Sequence, residues 1–117
     1  IEKFGSSLLV IGYFFFIHGS NLDILEILDI NNTGETSTSV TLLGAEFILV
    51  GYIFLFIESI NRLEERRFQK EVLSQDIDLS PYENLYHAYL FSILINIIRV
   101  HALSEIDKTS QTGEVFV

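Results

Sequence analysis

Residues 39–73 read SVTLLGAEFILVGYIFLFIESINRLEERRFQKEVL, and the stretch changes character at Glu58 without any break in its helical pattern. Before Glu58 it is apolar. Residues 36–57 form a 22-residue segment with one charge, Glu46. Its Val, Leu, Ile and Phe side chains favour membrane insertion by roughly 4 to 7 kcal/mol, against about 2.5 to 3.5 kcal/mol opposed by one central acid. Insertion wins. From Glu58 onward charges fill the chain, and neither Gly nor Pro intervenes before Pro81. Glu58 with Arg62, and Glu64 with Arg67, stand at spacings that support a helix in water. The expectation is one long helix over about 39–73, its last third projecting from a bilayer.

Two further segments flank it. Residues 4–22 contain no Asp, Glu, Lys or Arg, and at about 1.5 Å per residue these 19 residues span about 28 Å, close to a bilayer core. Lys3 ahead of this run, with Gly19 and Ser20 behind it, also fits the outline of a signal peptide, which is the lesser reading. The third segment, 84–98, reaches spanning length only when extended to 103, taking in Arg99 and His101. Arg99 lies near its end, within snorkelling reach of headgroups. An interfacial or re-entrant segment is the rival for this stretch. Its start is marked by Ser80-Pro81-Tyr82-Glu83, read as a capping box that opens a helix over 81–103. Tyr82, Tyr86 and Tyr89 then share one face, fitting either an interfacial belt or packing on a neighbour.

The fold class expected is therefore all-α: one membrane domain over 1–117 with three transmembrane helices, the second extended beyond the bilayer. Between the first two, Asp23, Glu26 and Asp29 alternate with aliphatics, which predicts a short amphipathic segment at 22–30. Residues 104–117 read as a polar tail.

Composition limits the functions available. The chain has 117 residues, a net charge of -9, 49% hydrophobic residues and a mean hydropathy of +0.38. Apolar and charged residues must then be segregated along it, as they are. The excess of acid argues against nucleic-acid binding. Without Cys there is no disulfide framework, Cys-based zinc site or thiol nucleophile. No P-loop, dinucleotide fingerprint, HExxH or nucleophile elbow occurs, so enzymatic activity is the least supported class and no cofactor is expected. Asn31-Asn32-Thr33 is a glycosylation triplet, of a kind that arises often by chance.

Lys and Arg are unevenly distributed. The 23–38 loop has none, whereas 58–83 holds Arg62, Arg66, Arg67 and Lys70. The positive-inside rule places the N-terminus and 58–83 in the cytoplasm or its equivalent, with 23–38 and the C-terminus opposite.

Two kinds of candidate residue follow. Gly5, Gly12 and Gly19, and likewise Gly44 and Gly51, recur every seven residues and lie along one face of each helix. Glycine permits the close backbone approach on which helix association in lipid depends. On the third helix, Ala88, Ser92, Asn96 and Arg99 form a small-and-polar stripe expected to face protein. The second kind is polar groups within apolar stretches. Glu46 matches Arg99, His101 and His18 in depth, and Glu58 matches His87. A Glu46–Arg99 ion pair is the structural reading, a proton- or cation-handling carboxylate the functional one, and a His18/Glu46/His101 metal site the remotest. A divalent cation on Asp23, Glu26 and Asp29 is equally remote.

The function expected is a small non-catalytic subunit or accessory protein of a larger membrane complex. Its partners would be other membrane subunits and lipids, with a homo-oligomer as a further option. The alternatives are an ion or proton channel or transporter component using Glu46, or a membrane-bound regulator of the immunity type.

Overall fold

A computed structural model describes residues 2–28 and 36–111. Three helices account for them almost entirely: α1 Glu2–Ile27, α2 Ser37–Glu71 and α3 Ser80–Gln111. All three are long and apolar enough to cross a membrane. α2 lies in the middle and packs antiparallel on both neighbours, while α1 and α3 do not pack backbone to backbone.

α2 is one uninterrupted helix of 35 residues through the change of character at Glu58. Its charged turns are held by the spacings anticipated for water: Arg62 lies 3.8 Å from Glu58 and Arg67 lies 3.4 Å from Glu64. The helix starts two residues earlier than position 39. Thr36 is the N-cap, its side chain accepting from the Ser39 N–H at 3.2 Å. It ends at Val72, whose N–H still reaches the Phe68 carbonyl, before Ser74 turns the chain with a left-handed φ of 55°.

α1 is longer than the apolar run that predicts it. The acidic stretch after Leu22 does not form a separate amphipathic helix; the helix continues through Asp23 and Glu26 to Ile27. Nothing in residues 23–27 breaks it, since neither Gly nor Pro occurs there. Asp29 and the Asn31-Asn32-Thr33 triplet lie outside the described residues. α3 likewise extends beyond 103, through the start of the expected polar tail, because Glu105 to Gln111 also lacks a breaker. There Lys108 lies 3.9 Å from Glu105 and Thr109 Oγ1 donates to the Glu105 carbonyl. At its start the Leu79 carbonyl accepts from the Glu83 N–H, and Asp78 accepts from the Ser80 N–H at 3.0 Å. Ser80 is therefore already helical: its N–H, which a capping box gives to the Glu83 side chain, goes to Asp78, and the Glu83 N–H goes to the Leu79 carbonyl.

The three helices are arranged as a V with α2 at its apex. Gly44, Gly51 and Leu55 face α1, whereas Tyr52, Ser59 and Leu63 turn toward α3, about a quarter-turn around the helix. The buried side chains concentrate on α2. On α3, Asn96 is the one buried residue among those described.

Candidate functional site

The α1–α2 contact is a seam of backbone against backbone. A Cβ placed on Gly12 would stand 2.7 Å from the Gly44 carbonyl oxygen, and one on Gly51 would stand 2.8 Å from that of Gly5. Gly19 faces Thr41 and Ser37, and the Ser37 hydroxyl donates to the Gly19 carbonyl at 2.9 Å. At the end of α1, a Glu26 carboxylate oxygen accepts from the Ser37 N–H at 2.7 Å. α2 carries no acid in its own first turn. Glu26 supplies from the neighbouring helix the negative charge that an N-terminus favours. At the other end Arg62 reaches Glu2 at 2.6 Å, so the seam is tied at both ends by charge.

The α2–α3 contact is aromatic. Tyr89 meets Tyr52 with ring centroids 6.3 Å apart, Tyr86 meets Phe56 at 5.0 Å, and the Arg66 guanidinium lies 5.5 Å from the Tyr82 ring centre. The tyrosine face of α3 thus serves as packing against α2. Ser59 is buried here and donates to its own helix at the Phe56 carbonyl.

The polar stripe of α3 is only partly covered. Asn96 is 5% exposed and Ser92 half-buried, but Ala88 and Arg99 are exposed. The Asn96 amide donates to the Ser92 carbonyl at 2.7 Å, while its Oδ1 is buried without a hydrogen-bond partner. Ser92 in turn donates to the Ala88 carbonyl.

Glu46 and Arg99 do not meet. Arg99 turns toward α1 and lies 5.5 Å from the Phe16 ring centre, inside the mouth of the V. Glu46 stands on the back of α2, about 160° around the helix from Gly44 and about 120° from Tyr52. It is exposed and opens onto an apolar groove with Phe4, Leu8, Leu43, Phe47 and Val50. α2 itself separates the two charges. Equal depth made them look like partners, but depth says nothing about which side of the helix each occupies.

The other polar candidates are also dispersed. His18 is exposed on α1 beside Ile11, Phe14 and Phe15, and His101 is exposed on α3. Among the described residues no group of three His, Asp or Glu converges on one point, and His18, Glu46 and His101 do not come together. Glu58 faces Arg62, while His87 lies edge-on to Tyr86 and lines a groove between α2 and α3 with Ile60, Glu64 and Arg67.

Sequence reasoning missed the Glu2–Arg62 tie, the Glu26 cap and the Ser37–Gly19 bond. The first joins residues 60 apart, and no local signal marks it. The other two needed the register of α1 against α2. Compared with protein-family models, curated proteins and solved structures, the chain matches none.

Proposed function

We propose that the chain is a multi-pass membrane protein that serves as a small non-catalytic subunit or accessory protein of a larger membrane assembly. The observation that carries this reading is α3. It is long and apolar enough to cross a bilayer, yet its own chain buries only Asn96 of its described side chains. A lone span in lipid has no need of Ser, Asn and Arg on one stripe, and polar groups in such segments turn toward protein. The uncovered part of that stripe, and the exposed Glu46 on α2, are two surfaces left for other chains. Neither surface encloses a cavity, which sets this reading ahead of a pore formed by one copy.

On this reading the N-terminus and 58–83 lie on the cytoplasmic side, and the protruding charged end of α2 offers a docking surface there. The test is extraction followed by mild-detergent purification. The protein is expected to stay with membranes under alkaline carbonate and to co-purify in fixed stoichiometry with other membrane chains. Release by carbonate would remove the membrane reading. A homogeneous preparation free of other proteins that conducts protons or cations in liposomes would put the Glu46 channel in its place.

A further inference from the structure

Glu46 and Arg99 present an electrostatic problem that one copy of the chain leaves open. Both lie within segments of spanning length, where an uncompensated charge is expensive. Among the described residues Glu46 has no ion pair, and Arg99 has the Phe16 ring but no carboxylate. Their depths agree closely. Phe16 lies under Arg99 and also bears on Gly44, where a Cβ would meet its Cδ1 at 3.0 Å. Arg99 is therefore level with Gly44, and Glu46 lies two residues, or about 3 Å, further along α2. The two charges sit at one depth on nearly opposite sides of the molecule.

We propose that Glu46 of one copy pairs with Arg99 of a second copy, in a head-to-tail contact that seats the back of α2 in the mouth of the next V. This rests on the membrane reading above and names one of the partners it calls for. Copies sharing one orientation in a bilayer carry both charges at the same level, so each copy supplies the acid at one face and the base at the other. A contact between different patches of identical chains is heterologous, and it propagates as a ring or row.

The shapes match as well as the charges. α2 of one copy and α3 of the next run antiparallel. With Glu46 opposite Arg99, Val50 falls opposite Ile95, and Ile53 and Ile57 fall opposite Ser92 and Ala88. The α2 residues are exposed apolar side chains, and the small residues of α3 leave room for them. The same contact covers the part of the stripe that α2 of its own chain leaves open.

The native chain has no Cys, so engineered thiols report unambiguously. Two differently tagged copies, one with Val50→Cys and one with Ile95→Cys, are expressed together and oxidised in the membrane. A mixed-tag disulfide dimer is the expected product. Adding Glu46→Arg to the first copy should reduce its yield roughly tenfold, and adding Arg99→Glu to the second should restore it. Restoration also shows that both variants fold. A yield indifferent to Glu46→Arg, or no return with the swapped charges, overturns the proposal. So does Val50→Cys joining only itself or a different protein. In that last case the chain is still carbonate-resistant and the subunit reading stands, whereas loss of carbonate resistance removes both.

Discussion

At Gly12 the absence of one carbon decides how closely two helices approach. A Cβ there would lie 2.7 Å from the Gly44 carbonyl, which is backbone and cannot swing aside. Gly12→Ala is expected to cost about 1 to 3 kcal/mol through forced separation of the helices, and Gly12→Leu more. Val10 is 56% exposed on the opposite face, so Val10→Leu should leave the melting temperature in detergent unchanged. Equal melting temperatures for Gly12→Leu and Val10→Leu would remove the seam from any account of stability. Asn96 presents the reverse case, a polar group with more capacity than its surroundings satisfy. Its amide bonds within α3, but its Oδ1 is buried and unpartnered, and a buried unsatisfied acceptor costs about 1 to 3 kcal/mol. Asn96→Leu is similar in size and removes both groups together. Its melting temperature in detergent should equal or exceed that of the unaltered chain, and a marked fall would mean that the amide has a partner in solution.

Among the elements, the start of α2 shows how one helix completes another. Thr36 caps it from within, and Glu26 on α1 adds a carboxylate at the Ser37 N–H. The acid also complements the positive end of the helix dipole. Glu26→Ala should weaken the first turn of α2 by about 1 kcal/mol. Hydrogen exchange reads this directly: the N–H groups of residues 37–40 should exchange faster, while those of 50–60 keep their protection. Uniform change along α2, or none, would deny Glu26 a local capping role. α3 depends on its neighbours differently. With Asn96 the one buried side chain among its described residues, it is held chiefly by the tyrosine face against α2.

For the molecule as a whole, the antiparallel order α1–α2–α3 ties sidedness to a single choice. On the proposed three-span arrangement, the charged end of α2 near Arg62–Lys70 and its start at 36–38 are expected on opposite faces of the membrane. Single cysteines at Gln69 and Thr38 give the measurement, because the native chain contains none. A membrane-impermeant thiol reagent added to intact cells is expected to label Thr38→Cys and spare Gln69→Cys, in accord with the basic residues of 58–83. Labelling of both from one side would exclude three spans.

Much of the architecture is carried by local patterns. The length of an apolar run against the 1.5 Å rise of a helix marks three span-length elements, and unbroken i,i+4 charge spacing carries α2 on past Glu58. The glycines at 5, 12, 19, 44 and 51 share faces for the same reason, since seven residues make nearly two turns. Boundaries were less legible: α1 absorbs the acidic stretch to Ile27 and α3 runs to Gln111, because amphipathic composition alone does not stop a helix. Which charges could meet was not legible. Sequence position along a span gives only height, and height alone is what links Glu46 with Arg99 there. Whether they face one another depends on the angle at which α1 and α3 settle around α2. That angle is set by glycine contacts on one side and tyrosine packing on the other, and it leaves α2 standing between the two charges.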